Sequence, residues 1–328
     1  MKSFIFLYII LQACWLSIDA KHVQHRLDSI VSFSGSRKVS KVIFEYNDVG
    51  KRTIAKEYEL EPNGNISLKR YNVYQYKDSI LTTLVYEMLN NNKTLLSKQE
   101  TICDNHGRII LFVIYSSKGD RMSKTKYEYD KELIKTKIKF KYVDEKWMMI
   151  KRDSFDYDET GRMTRWSLYT GNSEVARKTY DYNKSDRLYL TCLSSIKEDS
   201  WEPNITEVYS YNEKGQVSCI IVEREGTLTK NTYMYDYNGN LITSNIYDGC
   251  FGTSNSDILW RHSATRQFDY YNIYSDSIIG YDYVAQNEEL NDGASYANKY
   301  AIHFERIMYF NGDILNNMIT NEYYYSKK

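Results

Sequence analysis

One phrase returns along this chain and limits what it can fold into: aromatic, spacer, Tyr, Asx, two polar residues, Gly, a basic residue, an apolar residue. Its fullest copy is Phe155-Asp156-Tyr157-Asp158-Glu159-Thr160-Gly161-Arg162-Met163. It recurs as Phe44-Glu45-Tyr46-Asn47 with Gly50-Lys51, as Tyr209-Ser210-Tyr211-Asn212 with Gly215-Gln216-Val217, and as Tyr233-Met234-Tyr235-Asp236 with Gly239-Asn240-Leu241. Looser copies sit at Tyr58/Leu60/Gly64, Thr101/Cys103/Gly107, Tyr127/Tyr129 and Tyr180/Tyr182. A repeat of this kind has to be read before anything else.

In a strand, residues two apart share a face, so the paired aromatics lie together and the spacer between them points into water. Tyr suits this role because its ring covers a pleated surface while its hydroxyl can stay wet. The Asx that follows can start a turn by bonding its own backbone. Gly50, Gly64, Gly107, Gly161, Gly215 and Gly239 then supply the positive φ of a short hairpin loop. At Tyr76 and Tyr129 the aromatics remain but Ile80 and Leu133 stand in place of the Gly, so those turns need another geometry.

Successive second anchors lie between 24 residues (Tyr211 to Tyr235) and 30 residues (Tyr46 to Tyr76) apart. That interval holds two strands and two turns, with no helical pattern in any unit. The expected fold class is all-β, an antiparallel hairpin-repeat meander. Eighteen or more strands in one sheet cannot stay flat under their own twist, so the meander is curled or closed into a barrel-like sheet.

Lys and Arg together number 43 and so do Asp and Glu, so no global field favours nucleic acid. Residues 1–20 have the form of an export signal, with Lys2, an apolar stretch from Phe4 to Leu11, and Ile18-Asp19-Ala20 before Lys21. A second reading is lipidation at Cys14, within Leu11-Gln12-Ala13-Cys14, which would be the chain's link to a membrane. Residues 21–40 are an entry segment, 41–247 the hairpin repeats, and 248–328 irregular strands and loops of the same sheet. His22 and His25 have a metal-compatible spacing without a carboxylate or Cys beside them, so a solvated pair is the reading and neither metal nor cofactor is expected.

Removing Cys14 leaves Cys103, Cys192, Cys219 and Cys250. Cys192 and Cys219 fall on returning strands with a strand between them, beyond the reach of a disulfide. Cys103 stands at an aromatic anchor and reads as a small buried hydrophobe. Trp147, Trp166 and Trp201 read as core plugs.

The phrase resembles that of the YD-repeat (RHS-type) proteins, Y-x-Y-D-x-x-G-R-L, over about 200 residues. The chain is also similar to tyrosine-rich exported Bacteroidetes proteins of unknown function with a curled, porin-like antiparallel sheet. The resemblance implies the hairpin architecture. It does not extend to the toxin-enclosing shell of large RHS proteins, because this chain is shorter and has Pro only at Pro62 and Pro203.

The function these residues suggest is a non-catalytic exported module, surface or periplasmic, that binds an extracellular glycan, peptide or partner protein. Long loops on a rigid sheet are where a site would lie. Phe251, in the loop around Cys250 to Gly252, with Trp260 and with Tyr296 in the excursion from Gln286, are the candidate binding residues. A cell-envelope hydrolase is the first alternative, since Asp156/Asp158, Asp181 and Glu223/Glu225 supply carboxylates. No nucleophile motif accompanies His106, His262 or His303. An outer-membrane β-barrel is the second alternative.

Overall fold

Eight turns close with the same two backbone bonds, among them those at Glu61 and Ser116. In the copy at Asp158, its N–H donates to the Arg162 carbonyl at 2.9 Å and the Gly161 N–H donates back to Asp158 at 3.0 Å. The same pair joins Asn47 with Lys51, Asp104 with Arg108, Asn183 with Arg187, Asn212 with Gln216 and Asp236 with Asn240. Gly161 sits at φ 83° and Gly215 at φ 83°. Gly50, Gly64, Gly107 and Gly239 are also at positive φ. In the turn at Asn183, Asp186 takes that place at φ 58°, which Asp tolerates better than most side chains. The turns without Gly after Tyr76 and Tyr129 are two-residue loops in which Asp78 and Lys131 adopt positive φ. In six of these turns the ladder slips by one residue at the second Tyr: Tyr46, Tyr129, Tyr157, Tyr182, Tyr211 and Tyr235. Each is a bulge that tightens the entry to the loop.

The computed structural model describes residues 25–61, 64–89, 92–251, 258–274, 278–279, 300–311 and 314–327. Within them the chain forms β1 (His25–Ser34), β2 (Arg37–Tyr46), β3 (Arg52–Leu60), β4 (Ile66–Lys77), β5 (Ile80–Leu89), β6 (Asn92–Cys103) and β7 (Ile109–Ser116). It continues through β8 (Arg121–Asp130), β9 (Leu133–Val143), β10 (Lys146–Tyr157), β11 (Met163–Thr170), β12 (Ser173–Tyr182), β13 (Leu188–Lys197) and β14 (Ser200–Tyr211). The last are β15 (Val217–Arg224), β16 (Thr227–Tyr235), β17 (Leu241–Phe251), β18 (Ile258–Tyr274), the short β19 (Ile278–Ile279), β20 (Tyr300–Asn311) and β21 (Ile314–Lys327). Each long strand pairs antiparallel with the next, and β18 passes directly to β20. The entry strand β1 pairs with β2 on one side and with β21 on the other, from Leu27↔Tyr325 to Ser34↔Ile319. That last ladder closes the meander into a barrel of twenty strands, and β19 adds two parallel pairs to the start of β1. No helix occurs among the described residues.

Closure removes the unpaired edges that a long open meander would expose. It also defines two rims. All the Asx-x-x-Gly turns that follow a Tyr lie on one rim, and the connection between β18 and β20 leaves and re-enters there. The intervening turns, including the one between β17 and β18, lie on the other.

The paired aromatics face inward. Phe44, Tyr209, Tyr233 and Phe268 are buried and cluster with Leu27, Ile220, Leu241 and Tyr323. The spacers Asp156, Asp181, Ser210, Met234 and Asp269 are exposed on the outer face. The Tyr hydroxyls depart from the expectation that they stay wet. In four successive units the second anchor donates its hydroxyl to the carbonyl that follows the preceding unit's turn: Tyr157 to Ile134 at 3.0 Å, Tyr182 to Met163 at 2.8 Å, Tyr211 to Leu188 at 2.5 Å and Tyr235 to Val217 at 2.8 Å. Tyr46, Tyr129 and Tyr270 do the same to Leu27, Ile109 and Leu241. The repeat thus staples each hairpin to its neighbour, and the basic residue after the Gly covers the staple. Arg108 lies over the Tyr129 ring at 4.8 Å and Arg162 over Tyr182 at 4.7 Å.

Candidate functional site

Paired residues in adjacent strands share a face, so the inner wall can be read across the ladder. Two positions before the first aromatic, it is polar almost all the way round. Asn72, Gln99, Thr125, Asp153, Glu207 and Asn231 are buried there. Buried groups of this kind need partners, and three of the carboxylates have them. Glu207 accepts from Lys178 at 2.7 Å, from Thr191 at 2.6 Å and from the Tyr209 hydroxyl at 3.0 Å. Burial alone would raise its pKa, but those donors outweigh burial and hold it below the usual carboxylate range. The same environment, burial first and the Glu207 charge second, pushes the Tyr180 hydroxyl up to about 12. Glu305 pairs with Arg266 and accepts from Asn321 at 3.0 Å and Tyr323 at 3.3 Å. Asp153 accepts from the Trp166 indole at 3.1 Å and stands 3.9 Å from Lys151. Glu57 lies opposite Arg70 in the ladder, and burial raises its pKa against that charge.

The wall changes character at β9. Its register places Lys137 beside Tyr127, Lys139 beside Thr125 and Lys141 beside Ser123. On the other side, Lys139 pairs with Lys151. All four lysines therefore share the face of the inward aromatics. The opposite face of β9 carries Ile138, Phe140 and Tyr142, with Trp147 against Tyr142 at 4.9 Å. Lys124 lies over Phe140 and Trp147, at 4.9 and 4.5 Å. The usual polarity of the barrel wall is inverted on this strand.

Of the residues expected to form a loop site, Phe251 and Trp260 are among the described residues. Phe251 ends β17 and Trp260 lies near the start of β18, at the rim away from the repeat turns. Tyr296 falls outside the described residues. Trp260 lies on the outer face under Lys230, whose ammonium is 4.9 Å from its ring and 5.1 Å from that of Tyr247. Trp147 and Trp201 are likewise outer-face residues rather than core plugs, Trp201 lying under Arg177 at 4.0 Å. Cys103 is buried, and Cys103, Cys192 and Cys219 are free thiols. Of the histidines, His262 bonds Thr265 at 2.7 Å and packs on Phe310, while His22 lies outside the described residues. Among the described residues no group of three or more His, Cys, Asp or Glu is placed to hold a metal ion.

The lysine row was visible in the sequence as Lys137, Lys139 and Lys141 alternating with Ile138 and Phe140. Its importance was not, since alternation shows two faces without saying which one a closed barrel turns inward.

No protein-family model matches the chain, and no curated protein matches it. Solved structures do resemble it. TcdB2-TccC3 without its hypervariable C-terminal region is similar at 12% identity and a TM-score of 0.38, covering 87% of this chain, which spans 15% of that one. A porin-like protein from Bacteroides uniformis is similar at 8% identity and a TM-score of 0.39, covering 92% of this chain and 96% of its own. A second porin-like protein, from Bacteroides vulgatus, is similar at 9% identity and a TM-score of 0.27, covering 92% and 98%. At such scores the fold rests on the strand ladder itself.

Proposed function

We propose that this chain is an exported, non-catalytic barrel that serves as a binding or structural module at the cell surface or in the periplasm, taking a glycan, peptide or partner protein. The observation that carries the reading is a closed wall whose inner face bears a polar band beside the inward aromatics. Barrels of many strands can enclose more space than their wall side chains fill. Polar groups facing such a space can meet a ligand as well as water.

Two features speak for binding over hydrolysis. Glu207 is held by cationic and hydroxyl donors that keep it below the usual carboxylate range, an arrangement that keeps charge fixed rather than passing protons. Asp158 is tied into its turn by the Thr160 hydroxyl and the Arg162 amide and guanidinium, which hold it far below the ordinary carboxylate range. A lipid-facing barrel is disfavoured by outer-face ion pairs such as Lys98–Glu100, Lys126–Glu128 and Arg165–Glu174, which belong in water. Fractionation of expressing cells tests both parts. The protein is expected outside the cytoplasm and to leave the membrane fraction without detergent, or to require detergent solely because of a lipid at Cys14. Retention in the cytoplasm, or a Cys14→Ser variant that still needs detergent, would contradict the reading.

A further inference from the structure

We infer that the inward lysines of β9 and β10 form a binding surface for an acidic oligosaccharide, one that bears carboxylate or sulfate groups. This deepens the binding-module reading and rests on it. Elsewhere on the inner face, basic side chains stand against carboxylates: Lys178 with Glu207, Arg266 with Glu305, Arg70 between Glu57 and Glu87. Along β9 the pattern breaks. Among the described residues neither Lys139 nor Lys141 forms an ion pair, and Asp153 on the same face is taken up by the Trp166 indole and, at 3.9 Å, by Lys151.

Lys137, Lys139 and Lys141 follow one another at about 6.8 Å along the strand, with Lys151 about 4.8 Å to the side. Like charges this close repel, and an anionic ligand relieves the repulsion. A row of point charges on flexible stems suits carboxylates or sulfates spaced along a linear chain. The same face presents Tyr127 beside Lys137, whose ammonium is 5.9 Å from the ring. An aromatic ring flanked by ammonium groups offers a pyranose both a stacking surface and a counter-charge. A slender chain can also enter a barrel that would exclude a folded partner.

Titration calorimetry of the full mature protein tests this with four hexameric probes: galacturonate, heparin-derived, maltose-type neutral sugar, and glutamate peptide. The acidic sugars are expected to bind and the neutral one to bind far more weakly. The Lys139→Gln/Lys141→Gln/Lys151→Gln variant should lose about tenfold or more in affinity, and Lys124→Gln/Lys126→Gln, which removes outer-face charge, should lose little. Lys141→Gln alone, at an exposed position, keeps the test open if the triple variant does not fold. Preference for galacturonate or for heparin assigns carboxylate or sulfate. Equal losses from inner and outer variants, or no binding of either acidic sugar, would overturn the inference. Glutamate peptide binding as tightly as the sugars would overturn the sugar class. Binding of the neutral sugar that survives the inner variant would overturn this inference while leaving the binding-module reading intact.

Discussion

Strands β14–β17 and strands β8–β10 use the same hairpin turns and the same Tyr anchors, yet they bury different things. In β14–β17 the inner face carries Tyr209, Ile220, Tyr233 and Leu241, all buried, and its buried carboxylate, Glu207, is paired. In β8–β10 that face carries Thr125, Tyr127, three lysines of β9 and Lys151, while Phe140, Tyr142 and Trp147 lie outside. The difference lies in where along the strand each residue sits. Near the repeat turns, the Asx-x-x-Gly loop and the stapling Tyr leave little freedom. Towards the other rim nothing in the repeat dictates side-chain type, and there the two sectors diverge. The repeat builds the wall, and the residues outside the repeat distinguish one part of it from another.

The largest expected effect tests which sector is core. Ile220 is fully buried, so Ile220→Ala should cost about 2–5 kcal/mol by urea unfolding. Ile138, half-buried on the outer face of β9, should cost less than about 1.5 kcal/mol when cut to Ala. Equal losses would erase the distinction between the sectors.

Next come the turns, which the two sectors share. Gly161→Val forces a branched residue to φ 83°, for about 1–3 kcal/mol, although a Cβ there meets only Leu133 Cδ1 at an ordinary 3.7 Å. Gly215→Val carries the same backbone strain and must also displace Arg187, whose Nη2 would lie 2.6 Å from the new Cβ. Gly215→Val should therefore have the lower denaturant midpoint. A reversed order would mean that the stacking of Arg187 on the next turn contributes nothing.

The staple follows. Tyr235→Phe removes one hydroxyl–carbonyl bond, for about 0.5–1.5 kcal/mol. Burial pushes the Tyr235 hydroxyl up to about 12 from an ordinary 10.0. The fold favours the neutral phenol, so this contribution is intact below pH 10.0 and is lost as the pH rises towards about 12. Alkaline unfolding should show that loss in the wild type and a smaller one in Tyr235→Phe. Identical pH profiles would remove Tyr235 from the staple's energetics.

Much of this was legible in the sequence. The Gly and Asx positions placed the turns, and alternation placed the aromatics on one face. Closure was left open because the partner of β21 is the entry strand, which carries no copy of the phrase and lies at the far end of the sequence. Composition cannot show that Tyr325 and Leu27 are neighbours. The hydroxyl staple was missed for a related reason: its acceptors are backbone carbonyls, which every residue has.

The smallest effect on stability is the most informative for the comparison. If the lysines of β9 were structural, replacing them would strand buried carboxylates and cost well over about 1 kcal/mol, as breaking a buried pair does. If they form a ligand surface, the free protein carries their repulsion as a cost. Lys139→Gln/Lys141→Gln should then change the unfolding free energy by no more than about 0.5 kcal/mol, or raise it slightly. Salt separates the two cases further. Ions screen the repulsion between neighbouring lysines, so wild-type stability should rise between low and moderate ionic strength. The double variant should show a smaller rise, while Lys178→Gln, which leaves Glu207 buried without its ion pair, should lose stability at every salt concentration. A double variant that behaves like Lys178→Gln would place the β9 lysines in the barrel's framework and remove the asymmetry between its two sectors.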